Sequence, residues 1–137
     1  MELKFNDSDY IIRAEFFGGL LINKRTMEKY QLSHLDAIYL LLIKAGISHD
    51  RAIDKLTQYR NVLFEPDLSF YLNNRAIVED ESNSISSSLN AETKAKVIFD
   101  NMDYIQRQNF LSAPIELTIY PSLNCQFDCE FCFDFRR

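Results

Sequence analysis

Three short alternating runs joined by tight polar turns, two amphipathic helical stripes directly behind them, and a serine-rich acidic stretch near residue 80 predict an α+β chain. The first unit, residues 1–80, reads as a winged helix-turn-helix-like domain: a three-stranded antiparallel sheet plus three helices. A linker over 81–91 follows. Residues 92–137 then hold one more helix and one more strand.

Residues 1–10 are polar and are expected to be loosely held. Tyr10-Ile11-Ile12-Arg13-Ala14-Glu15 reads as the first strand. Gly18-Gly19 is a turn signal, and Leu20-Leu21-Ile22-Asn23 a second strand. Asn23-Lys24-Arg25-Thr26 is a polar hairpin turn into a third strand, Met27-Glu28-Lys29-Tyr30-Gln31-Leu32. Three strands are too few to stand alone, so helices must cover one face. Ser33 is placed as an N-cap, with Asp36 three residues on as its capping-box partner. Leu35, Ile38, Tyr39 and Leu42 recur at i, i+3, i+4 and i+7, one stripe of a helix, and Gly46 stops it. Ser48 caps a second helix whose Ala52, Ile53 and Leu56 share a face. Asp50 in its first turn suits the helix dipole. The short join between the two has the form of a helix-turn-helix.

Pro66 opens a third helix, because the first helical position does not need the N–H that proline lacks. Leu68, Tyr71 and Leu72 form its inward stripe, and Asn73-Asn74 stops it. Ala76-Ile77-Val78 reads as a wing strand. From Glu79 to Asn90 three acids precede five serines, a solvated linker and the expected domain boundary. Residues 91–108 are rich in helix formers, with Val97, Asn101, Tyr104 and Ile105 loosely periodic. Ile115-Glu116-Leu117-Thr118-Ile119-Tyr120 alternates as a strand, and Pro121 ends it.

Across 137 residues, 47% are hydrophobic and 26% charged, ordinary for a globular protein. The net charge of −5 argues against nucleic acid as a partner. So does the second helix, where Asp50, Arg51, Asp54 and Lys55 leave no basic excess to meet phosphates. The N-terminus is mixed and charged, unlike a signal peptide. The apolar run at 38–43 is far too short for a bilayer, so no membrane partner is expected. Three unpaired thiols suit a reducing compartment, which places the protein in the cytoplasm.

All three cysteines, Cys125, Cys129 and Cys132, fall within eight residues as C-x3-C-x2-C. Clustered thiolates select soft metals: zinc, copper(I) or iron–sulfur clusters. A structural zinc site wants four ligands, and the chain has no fourth cysteine. His34 and His49 lie far upstream. A cluster held by three thiolates instead leaves one iron open for a substrate.

C-x3-C-x2-C with Phe131 just before the third cysteine, on the loop after a strand, resembles the cluster motif of the radical S-adenosylmethionine enzymes. By that resemblance 115–120 is the first strand of an incomplete (β/α) barrel. Cys125, Cys129 and Cys132 would hold a 4Fe-4S cluster, and the open iron would chelate S-adenosylmethionine. Phe131 would line the adenine side. A whole barrel takes about 200 residues or more. The chain therefore reads as the N-terminal part of a larger enzyme, not catalytic alone, and neither cofactor need be bound by it. The strand at 115–120 presents an unpaired apolar edge, from which a homo-oligomer or a domain swap is expected.

The strands up to Ile12-Arg13-Ala14-Glu15-Phe16-Phe17-Gly18-Gly19-Leu20-Leu21, the third strand and Ser33-His34-Leu35 resemble a RiPP recognition element, the domain similar to the pyrroloquinoline-quinone peptide chaperone. The resemblance covers residues 8 to 80. It implies that the leader of a ribosomally made precursor peptide adds to the third strand by β-augmentation. The edge would be Met27, Glu28, Lys29, Tyr30, Gln31 and Leu32, and the far wall Leu68, Phe70, Tyr71 and Arg75. Two other readings stay open at this level. One is a docking or dimerisation domain on a radical enzyme with a non-peptide substrate. The other is a non-enzymatic thiol module that binds zinc or nothing.

Overall fold

The computed structural model describes residues 2–79, 88–108 and 110–111. Within them the architecture is α+β. β2 (Tyr10–Glu15), β3 (Gly18–Asn23) and β4 (Lys29–Leu32) form an antiparallel sheet in the order β2-β3-β4. Alternation assigns its faces. Tyr10, Leu21 and Leu32 are buried toward the helices, whereas Ile11, Lys29 and Gln31 on the other face are exposed.

Gly18 and Gly19 are not the turn that the sequence implied. The turn is Phe16-Phe17, and both glycines lie in β3. The reason is clearance. A Cβ on Gly18 would come within 2.3 Å of the Leu32 carbonyl oxygen, and its φ of +133° favours glycine. A Cβ on Gly19 would meet the Ala37 side chain at 3.0 Å. The third strand also begins later than predicted. Met27 has φ +61° and belongs to the turn, and the ladder starts at Lys29.

α1 (His34–Lys44) is built as its sequence signals imply. The Ser33 hydroxyl accepts from the Asp36 N–H at 3.1 Å, and also donates to the Asp36 carboxylate at 2.5 Å. At the far end, Gly46 (φ +83°) donates to Ile43 O, and the Ile47 N–H donates to Leu42 O. That pair of bonds is a Schellman motif. Between the caps, Ala37, Ile38, Tyr39, Leu40, Leu42 and Ile43 are all buried. Fully burying one such Leu or Ile contributes about 1.5–3 kcal/mol, so this helix is the centre of the core.

α2 (His49–Arg60) buries Ala52 and Leu56; Ser48 stands at its N-cap position without a side-chain cap bond. α3 (Leu68–Asn73) is capped by Asp67, whose carboxylate accepts from the Phe70 N–H at 3.0 Å. Pro66 therefore precedes the cap rather than opening the helix.

Two expectations about the chain ends are overturned together. The segment expected to be loose is held: β1 (Leu3–Phe5) pairs antiparallel with β5 (Ile77–Glu79), in the register Leu3↔Glu79 and Phe5↔Ile77. Leu3, Phe5 and Ile77 are buried, and that burial holds the short pair in place. The strand at 77–79 is thus no wing on the main sheet but the partner of the N-terminus.

α4 (Ser88–Gln106) begins within the stretch read as linker and packs against α1, α2 and β2. Its inward face is Ala91, Ala95 and Met102, flanked by the half-buried Ile98 and Phe99. Val97 and Tyr104, chosen by periodicity, are more than half exposed. Arg51 and Lys55 of α2 both reach Glu92, at 2.9 and 2.6 Å. The rings of Tyr59 and Phe99 lie 4.6 Å apart, and the Tyr59 hydroxyl donates to Asp103. No helix among the described residues is long and apolar enough to cross a membrane.

Candidate functional site

β4 is an edge strand: among the described residues no strand pairs with its outer side. Its outward groups follow from two bonds. The Asn23 N–H donates to the Glu28 carbonyl at 2.9 Å, and the Lys24 N–H to the Asp9 carbonyl at 2.7 Å. Antiparallel bonding alternates along a strand, so odd-numbered residues of β3 bond toward β4 and even-numbered ones toward β2. The register Leu21↔Tyr30 and Gly19↔Leu32 makes Tyr30 and Leu32 the bonded residues of β4. Lys29 and Gln31 consequently turn their N–H and C=O groups outward.

The helix-side wall beside this edge is aromatic. Tyr30 and Phe70 meet edge to face, centroids 5.3 Å apart, and Phe70 meets Tyr71 in the same way at 5.5 Å. Leu68, Phe70 and Tyr30 are each half-buried, so they line a surface and not the core. The Tyr30 hydroxyl donates to Glu28 at 3.2 Å, and Glu28 also accepts from Thr26 Oγ1. Local desolvation first, then the Glu28 carboxylate, raises the Tyr30 pKa. Tyr30 therefore remains a neutral donor.

The predicted site residues divide into three groups. Tyr30, Leu68 and Phe70 lie on the helix side of the edge, whereas Lys29 and Gln31 turn their backbone groups outward and place their side chains on the other face. Leu32 (5% exposed) and Tyr71 (3% exposed) belong to the core beneath the edge. The Tyr71 hydroxyl donates to Asp36 Oδ1 at 2.9 Å, and burial followed by Asp36 raises its pKa. Met27 and Glu28 lie in the turn before β4, and Arg75 follows α3 beside Asn6, with no hydrogen bond or ion pair to them among the described residues. Arg75 is exposed with φ +56°, and its carbonyl accepts from Asn6 Nδ2. Its end of α3 is fixed by the Tyr10 hydroxyl, which donates to Asn74 O at 2.8 Å, while Tyr10 pairs with Asn23. Since Tyr71 bonds Asp36 beyond the other end of β4, α3 runs antiparallel to β4. Sequence reasoning missed the Tyr30–Phe70 contact. Its only signal was the matched position of an aromatic in each element.

Cys125, Cys129, Cys132, Phe131 and the strand at 115–120 lie outside the described residues. Among the described residues there is no group of His, Cys, Asp and Glu that could hold a metal ion. A second concavity, an open cleft of about 500 Å³ between α2 and α4, is lined by Lys55, Tyr59, Glu92, Phe99 and Asp103, among others. Its charges largely satisfy one another.

No family model and no curated protein matches the chain. Solved structures do, among them two of SuiB. Streptococcus suis SuiB bound to S-adenosylmethionine is 25% identical, with a TM-score of 0.54, over 96% of this chain and 29% of that one. Streptococcus suis SuiB bound to precursor peptide SuiA is 27% identical, with a TM-score of 0.51, over 96% of this chain and 28% of that one. The chain thus spans under a third of a protein that binds S-adenosylmethionine and a precursor peptide.

Proposed function

We propose that residues 1–80, walled on one side by α4, are the leader-recognition unit of a radical S-adenosylmethionine enzyme that modifies a ribosomally made peptide. The observation that carries this reading is the unpaired edge of β4 beside the Tyr30–Phe70 wall. An extended peptide laid along β4 would bond to the backbone of Lys29 and Gln31 and set alternate side chains against Tyr30, Phe70 and Leu68. Backbone pairing supplies affinity, and the pockets supply selectivity. The likeness to a protein seen with its precursor peptide supports the same partner here.

The donor set at 125–132 fits a 4Fe-4S cluster: three soft ligands, closely spaced, with no fourth in the sequence. Cys125, Cys129 and Cys132 would hold it, and Phe131 would lie against S-adenosylmethionine. When bound, the cluster supplies the electron that cleaves the sulfonium. The similarity to SuiB bound to S-adenosylmethionine supports that cosubstrate. Residues 92–137 would begin the catalytic barrel.

Hydrogen–deuterium exchange of the 137-residue chain tests the recognition step. The probe is the peptide encoded by a short reading frame beside this gene. Protection should rise at 29–32 and around Phe70. Protection confined to the α2–α4 cleft, or none with any adjacent peptide, would overturn the assignment. Anaerobic iron and sulfide reconstitution of the longer protein tests the cysteines, and a colourless product would rule out the cluster.

A further inference from the structure

We infer that the β4 edge selects a leader running antiparallel to β4 with the pattern apolar–polar–apolar–acidic, its acid across from Lys29; this inference rests on the strand-addition reading above. Every strand pair in the described residues is antiparallel, and that geometry is the more stable per residue. In it, leader residues run N to C past Leu32, Gln31, Tyr30 and Lys29. Positions across from Tyr30 and Leu32 become non-hydrogen-bonded pairs, in which side chains approach most closely. These side chains fall on the helix-side face, where Tyr30, Phe70 and Leu68 offer an apolar surface.

The positions across from Lys29 and Gln31 fall on the opposite face. Here the charges decide. Other cations of the sheet and its surroundings are matched: Arg13 to Glu15 at 2.6 Å, Arg25 to Asp9 at 2.7 Å, Lys44 to Asp7 at 2.6 Å. No ion pair or hydrogen bond among the described residues engages the Lys29 side chain, which stands exposed on the edge itself. A directly opposed acid would complete it, and a directly opposed base would be repelled.

The test is an NMR titration of the 137-residue chain with short capped peptides. One carries Leu-Gln-Leu-Glu, one Leu-Gln-Leu-Lys, and one the reversed order Glu-Leu-Gln-Leu. The first should bind about three- to tenfold more tightly than the second, with shifts centred on 29–32. Lys29→Glu should invert that preference, and the reversed peptide should bind more weakly than the first. Shifts at β4 with no inversion in Lys29→Glu would sink the charge register alone. Equal binding of forward and reversed peptides would sink the direction alone. Absence of shifts at β4 with every peptide would sink the strand-addition reading itself.

Discussion

Replacing Lys29 with proline should separate peptide binding from folding, because the Lys29 N–H points away from the sheet. Proline removes a backbone donor and is tolerated on an edge only where that donor faces outward. The parity set by the Asn23–Glu28 bond puts Lys29 and Gln31 in that position, and Tyr30 in the opposite one. One lost hydrogen bond to an added strand costs about 1 kcal/mol net, about fivefold in Kd. The double substitution Lys29→Pro with Gln31→Pro should cost about 2 kcal/mol, roughly thirtyfold. Tyr30→Pro should behave differently. It breaks the ladder to Leu21 and deletes the ring that meets Phe70, so about 3 kcal/mol of folding stability goes with it. Calorimetry with the adjacent-gene peptide reads the affinity, and urea denaturation reads the fold. If folded Lys29→Pro and Gln31→Pro proteins bind as the parent does, the peptide does not pair with this edge.

Further outcomes follow from the geometry. Gly18→Ala should lose about 3 kcal/mol by urea denaturation, from its φ and its collision with the Leu32 carbonyl. Gly46→Ala meets no atom within 4 Å and should lose only about 1 kcal/mol. Phe70→Ala removes contacts to Tyr30 and Tyr71 and should cost about 2 kcal/mol of stability, with weaker peptide binding, while Phe70→Leu restores part of both. Burial, and then the Arg60 guanidinium, lowers the His34 pKa, and both ring nitrogens are buried without a hydrogen-bond partner. The unfolded chain therefore takes up this proton first. Stability should be full above the ordinary histidine value of 6.5 and fall as pH drops below it. His34→Gln should flatten that slope in melts recorded across this range.

How much of the fold could be read locally depends on how far each residue's reason lies along the chain. α1 was legible because Ser33, Asp36 and Gly46 state its ends within its own neighbourhood. β1 and β5 were not. Each has three residues, and each is a strand only because the other lies more than seventy positions away. Gly18-Gly19 carries a turn signal in the sequence, which shows the glycines but not the backbone of Leu32 and Ser33 that requires Gly18. In α4 the inward face is written mainly in alanine, Ala91 and Ala95, which carries little hydrophobic signal. The larger Val97 and Tyr104 drew the stripe to the wrong side.

The candidate edge shows the same division more sharply. Its strand and its facing helix are visible as alternating and amphipathic runs, but which of its residues meet a peptide is a matter of parity. That parity depends on the turn at 24–26, where Asn23 Oδ1 accepts from the N–H groups of Arg25 and Thr26. A slip of one residue there would exchange the faces of the whole strand. It would turn Lys29 toward Phe70 and put Tyr30 in solvent. The burial of Leu32 beneath α1 and the packing of Gly18 under the Leu32 carbonyl forbid that slip. On the strand-addition proposal, the register that a peptide would read at this edge is held from the core side, by the packing of Gly18 and Leu32. Variants at Gly18 should consequently lose peptide discrimination along with stability.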